Sequence, residues 1–310
     1  MGLPNFFLIG AGKAGTTAIA HHLDSHPEAF VCKPKEPRFM CYPERRPEFK
    51  GPGDQRLYVP ANLSEYEALF RQAGNAKAVG DASTWYLTHP DAPENIRKLC
   101  PDSKIIAILR NPCDRALSHW MHLVREQVET EDDFISACKA EQTRKAAGHA
   151  PHWWYVSQSR YYEGLERYFK LFSKDQILIH LYEDFVESPE KVMAETYRFL
   201  GVSADHNPDF KEKLNIGGIP KNKRLQEYLE QSAWGGNDPL KPIKALFPKQ
   251  VRSSLRRHIT RANLVTDRSL TDKERAWLAE RLQKDVDGLE RLIGRDLSAW
   301  REFHGIALDM

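Results

Sequence analysis

Five short apolar runs are spaced along the chain between longer amphipathic stretches. They cover residues 6–9, 29–32, 76–81, 104–110 and 177–182, and each is read as a strand. The 104–110 run has four Ile or Leu residues, the composition of a central strand buried on both faces. Between the runs, apolar positions recur at helical spacing. Helices are predicted over 16–26, 64–71, 113–129, 134–147, 161–172 and 189–200, and another from 271 onward. Tyr161, Leu165, Tyr168, Phe169 and Phe172 make one buried stripe, and Leu278, Leu282, Val286, Leu289 and Ile293 make another. Ser64 to Glu67 and Thr271 to Glu274 read as capping boxes; Pro189 opens a helix that Gly201 closes. Residues 43–62 are rich in proline, glycine and charge, an irregular surface excursion. With no internal repeat, low-complexity tract or domain boundary, the pattern predicts one α/β domain over 1–310. Its core is a P-loop-like central parallel sheet flanked by helices.

The first strand runs into Gly10-Ala11-Gly12-Lys13-Ala14-Gly15-Thr16-Thr17. Gly10, Gly12 and Gly15 let the backbone bend and approach a ligand, and the helix after them opens with free N–H groups and a partial positive charge. This is a phosphate cradle. Gly10 and Gly15 have the spacing of the nucleoside-triphosphate P-loop and Thr17 fills its last place, but Thr16 stands where that loop keeps its lysine. The ammonium has moved to Lys13, in mid-loop, where it reaches a different atom.

Further chemistry gathers at other strand ends. Lys33-Pro34-Lys35-Glu36-Pro37-Arg38 sets one carboxylate among cations; spacing alone leaves Glu36 open between a site residue and a solvated charge. Ser83, Thr84, Trp85 and Tyr86 follow the third strand and either line a pocket or cap and pack. Arg110 leaves the 104–110 strand with Ser118 on the next helix, an arginine fork and a hydroxyl suited to phosphate. Trp153 and Trp154 stack on a ring or close the core. Gly217 and Gly218 precede Lys221, Lys223 and Arg224, a basic loop able to close on an anion, and 239–266 is basic without an acidic residue.

Net charge is +2, so no general pull toward nucleic acid or membrane is expected. No apolar run reaches the ~18 residues of a transmembrane helix, and no signal peptide is read at the start. The five cysteines are odd in number and lack metal-type spacing, so no metal site is expected and reduced thiols in a cytoplasmic protein are.

Together these segments resemble the sulfotransferases that use 3'-phosphoadenosine 5'-phosphosulfate (PAPS), in the bacterial branch related to the heparan sulfate N- and 3-O-sulfotransferases. The resemblance rests on Gly12 to Thr17, Lys35 to Phe39, Gly80 to Leu87 and Leu109 to Ser118, with weaker matches at Tyr182 to Phe185, Phe199 to Val202 and Gly294 to Trp300. It implies that Gly12, Lys13, Ala14, Gly15, Thr16 and Thr17 hold the 5'-phosphosulfate, and Arg110 and Ser118 the 3'-phosphate. Glu36 becomes the general base, and Lys221, Lys223 and Arg224 the late cofactor loop. Asp81, Ser83, Trp85, Tyr86 and Trp153 are acceptor-side candidates, the acceptor being a carbohydrate or small molecule. Asp81 departs from the pattern, since the heparan enzymes keep a lysine there. A P-loop kinase or NTPase, and a non-catalytic nucleotide-binding protein of the same fold, are the alternatives.

Overall fold

The structure is a computed structural model that describes residues 2–206, 208, 210, 218–222, 224–226, 228–229, 258–260, 262–265 and 268–301. Lys223 and most of the basic 239–266 segment therefore lie outside the described residues.

Strands β1 (Phe6–Gly10), β2 (Ala29–Val31), β3 (Ala78–Ala82), β4 (Lys104–Leu109) and β5 (Ile177–Leu181) form one sheet in the order β2-β3-β1-β4-β5. Every neighbouring pair is parallel. All five residues of β1 are buried, as are Ile105 to Leu109 of β4, which is why these runs carry no alternation. Gly80 of β3 lies beneath the Phe6 ring, where an added Cβ would come within 1.9 Å of it. A two-stranded antiparallel ladder pairs Ile219–Pro220 with Leu264–Val265.

The helices are α1 (Thr16–Asp24), α2 (Leu63–Ala68), α3 (Ala92–Leu99), α4 (Pro112–Arg125), α5 (Phe134–Lys139), α6 (Glu141–Ala146), α7 (Tyr162–Leu171), α8 (Tyr182–Glu187), α9 (Pro189–Leu200) and α10 (Asp272–Ile293). The helices α3 and α8 were not expected from the pattern, and two expected ones differ from it. Asn62, not Ser64, caps α2, its side chain accepting the Glu65 N–H at 3.0 Å. The expected 134–147 helix is two helices meeting at Ala140, with the Glu141 carboxylate turned inward to accept the Val156 N–H at 2.8 Å. That buried demand outweighs continuing one amphipathic face. The Thr271 and Glu274 box forms as read, with reciprocal side-chain to main-chain bonds.

The chain crosses from β1 to β2 and β3 on one side, then to β4 and β5 on the other. The loops after β1 and β4 thus leave adjacent strands at the point where the order reverses, where open α/β sheets form a crevice. A cleft of about 1190 Å³ opens there.

Candidate active site

The loop after β1 forms one wall of the cleft. Gly15 has φ 97° and turns the chain into α1; a Cβ there would meet the Tyr182 ring at 3.3 Å. Lys13 itself takes φ 71°. Gly12, Lys13, Gly15, Thr16 and Thr17 line the cleft, while Ala14 is buried beneath the loop. The first amides of α1 have no partner within the helix and open the cleft wall. Burial, with Arg125, Arg110 and Arg115 nearby and only Glu126 opposing, pulls the Lys13 ammonium down to about 8. The group is half-buried in a cation-rich corner.

Arg110 lies directly across from it. Its Nη1 donates to the Lys13 carbonyl at 3.2 Å, its guanidinium covers the Tyr182 ring at 4.8 Å, and its own carbonyl accepts the Tyr161 hydroxyl at 3.0 Å. Asn111 caps α4 through its side chain, and Pro112 sits in the first turn. Ser118 lines the same cleft. So do Arg115, His119, His122 and Arg125, which share its helical face but were absent from the sequence reading. The helical period through Ser118 was the signal for them. Arg115 is fixed by Ser159 Oγ at 2.7 Å, the Tyr155 carbonyl at 2.7 Å and His119 Nδ1 at 3.1 Å. Burial pushes both histidines well below their ordinary range, so they stay neutral. Arg268 and Arg275 reach the cleft from the start of α10, Arg275 pairing with Asp114 at 3.0 Å. No local pattern reveals those two, because only the chain's return brings them there.

Glu36 stands in the same cleft. Its φ is 62°, its N–H donates to the Ala82 carbonyl at 3.2 Å, and its carboxylate meets three donors. Lys35 Nζ lies at 3.0 Å, Arg38 Nη2 at 3.1 Å, and Thr84 Oγ1 at 3.2 and 3.1 Å from the two oxygens. Burial alone would raise this carboxyl, but Lys35 and Arg38 outweigh it and hold it at about 2. Arg38 packs on Trp85, its guanidinium 4.6 Å from the ring centroid.

The other candidates divide. Trp85 lines the cleft. Asp81, Ser83, Tyr86 and Trp153 do not: each is buried, Trp153 donating to Asp54 Oδ1 at 3.0 Å and stacked under Arg144 at 4.7 Å. A direct acceptor contact for those four is corrected by this placement. Lys221 and Arg224 are exposed and outside the cleft lining; Lys221 Nζ donates to the Ala262 carbonyl at 3.1 Å.

The sulfotransferase family aligns with residues 4–206 of this chain. The chain belongs to the sulfotransferase family. Its sheet and flanking helices superpose on a sulfotransferase from Alicyclobacillus acidocaldarius with a TM-score of 0.76 at 30% identity, covering 97% of this chain and 100% of that one. The membrane-associated sulfotransferase kil1 of Dictyostelium discoideum is 22% identical over 73% of this chain. The bifunctional heparan sulfate N-deacetylase/N-sulfotransferase 3 of Mus musculus is 30% identical over 66% of it. The chain spans 62% of the first curated relative and 23% of the second. Among the described residues, no helix is long and apolar enough to cross a membrane.

Proposed function

We propose that this sulfotransferase-family chain moves a sulfuryl group from PAPS to a hydroxyl or amine of a carbohydrate or small-molecule acceptor. One observation carries the reading: the Lys13 ammonium and the Glu36 carboxylate face a single cleft, with Arg110 and Ser118 on its wall. The donor set fits a doubly phosphorylated nucleotide. Lys13, Thr16 and Thr17 suit its 5' end, Arg110 and Ser118 its 3'-phosphate, and Arg125 adds positive field, while Arg268 and Arg275, paired with Glu274 and Asp114, border the cleft.

When bound, PAPS supplies an activated sulfuryl group on a phosphate leaving group. Lys13, protonated below about pH 8, neutralises the charge that develops on the leaving oxygen. The amides opening α1 act on the same charge. Glu36, ionised across the working pH range, accepts the acceptor's proton as its acidity rises during attack. The ion pairs that hold the carboxylate also make it a weak base, so the transfer is concerted with attack rather than prior to it. A reducing compartment such as the cytoplasm accords with five buried, free cysteines.

Thermal shift and calorimetry with 3'-phosphoadenosine 5'-phosphate (PAP), ATP and buffer test the reading, followed by transfer from labelled PAPS to sugar, phenol, steroid and amine acceptors. Stabilisation by PAP and not by ATP is expected. Stabilisation by Mg-ATP alone would point to a P-loop kinase, which the threonine at position 16 disfavours. PAP binding without transfer to any acceptor would point to a nucleotide-binding protein on this fold.

A further inference from the structure

The run Asp81 to Tyr86 lies under the turn that carries Glu36 and touches it at successive residues. The Ala82 carbonyl accepts the Glu36 N–H at 3.2 Å. Ser83 Oγ accepts the Arg38 N–H at 3.0 Å, Thr84 Oγ1 donates to the Glu36 carboxylate, and Trp85 stacks on Arg38. Tyr86 Oη accepts the Met40 N–H at 3.2 Å. The turn needs such support, because Glu36 and Arg38 both hold left-handed backbone, at φ 62° and 56°.

Asp81 sits beneath that run, fully buried. Ser83 donates to its Oδ1 at 2.7 Å, and Tyr66 and Tyr86 donate to its Oδ2 at 2.7 Å each. A hydroxyl has one proton to give and lone pairs to receive with. Once the protons of Ser83 and Tyr86 are committed to Asp81, their lone pairs face the N–H groups of Arg38 and Met40. We propose that Asp81 is a positioning residue for Glu36: it orients these two hydroxyls so that they hold the turn presenting the Glu36 carboxylate to the cleft. The proposal rests on the sulfotransferase reading for its kinetic consequence, though not for its structural one.

Asp81→Asn keeps the shape but replaces one acceptor oxygen with a donor. The hydroxyl on that side must then receive from the amide and turn its own proton toward the main-chain N–H. Ser83→Ala is the second variant, cutting one link while leaving both tyrosine bonds. Hydrogen exchange comes first and needs no activity: in both variants the 36–40 segment is expected to exchange faster, with the Lys13 loop unchanged. Turnover per PAP-binding molecule should drop about tenfold, with PAP affinity kept within about twofold.

The pH profile adds a readout that loss of fold does not move. Glu36, Tyr66, Tyr86, Tyr168, Cys32, Cys41 and Cys100 are the titratable groups that interact with Asp81 among the described residues, and burial lifts its carboxyl to about 6. As pH falls through 6, Asp81 gains a proton and one of its three hydroxyl partners must reverse; when that partner is Ser83 or Tyr86, the turn loses a link and turnover declines, whereas Glu36, held at about 2, does not titrate there. That limb is expected in the wild type and absent in Asp81→Asn. Unchanged exchange at 36–40 in both variants, or an acid limb persisting in Asp81→Asn, overturns the proposal. Failure of the wild type to bind PAP overturns the functional reading instead and leaves the exchange result standing.

Discussion

The two loops that meet in the cleft are built on opposite principles. The loop after β1 makes its shape from backbone: glycine at a left-handed position, then helix amides, with Lys13 held among cations. The loop after β2 makes its shape from side chains, and its Glu36 is surrounded by Lys35, Arg38 and Thr84. One group is charged against its surroundings and the other with them. Burial and like charge bring the lysine down to about 8, while ion pairing holds the glutamate at about 2. The electrostatic mismatch at Lys13 is relieved by loss of its proton or by an incoming anion, which is what the proposed donor would bring. Glu36 needs no ligand to be ionised and gains position instead.

Substitutions break this contrast most at the mismatched side. Lys13→Ala is expected to lower kcat/KM about 10³-fold, since it removes a preorganised charge at the leaving oxygen. Steady-state kinetics at saturating acceptor check this, and a loss under tenfold would take Lys13 out of that role. Glu36→Gln should cost about 10²-fold in kcat with PAP affinity retained, read by pairing turnover with calorimetry.

Affinity for PAP should fall about tenfold per pH unit above pH 8. The sign follows from linkage. The bound anion restores the lysine toward its ordinary value of 10.5, so above pH 8 binding must take up a proton. Folding stability from this group runs the other way. Its folded value lies below the unfolded one, so protonated Lys13 disfavours the fold, and that cost fades as pH climbs from 8 toward 10.5. Calorimetry in buffers of different ionisation enthalpy tests the uptake; pH-independent affinity between 7 and 9.5 would refute it. The smallest effect expected is at Thr84→Val, about threefold in kcat, because Lys35 and Arg38 still hold the carboxylate.

How far each loop was readable without coordinates follows from the same contrast. The β1 loop was legible because its geometry is local: glycine spacing, helix start and lysine lie in one stretch. Glu36 was visible only as a charge among charges. Spacing alone left it open, and its importance came from family resemblance. Spacing left Ser83 and Tyr86 open between lining a pocket and packing, and resemblance set Asp81 on the acceptor side; the structure buries all three beneath the Glu36 turn. The alternation of strand residues says that neighbours point to opposite faces, but not which face a loop from elsewhere will cover. Spacing left Trp153 open between stacking on a ring and closing the core, and Asp54, 99 residues earlier, holds it in the core.

The sequence by itself determined the five strands, the cradle after the first of them and the displaced lysine, since those depend on periodicity and backbone freedom within a few residues. The tertiary structure alone decided which charges share the cleft. Arg268 and Arg275 arrive there from the far end of the chain, and the end of β3 with the turn after it supplies the floor on which the Glu36 turn is held. The physical reason is that charge and hydrogen-bond complementarity act over a few ångströms of space, irrespective of separation along the chain.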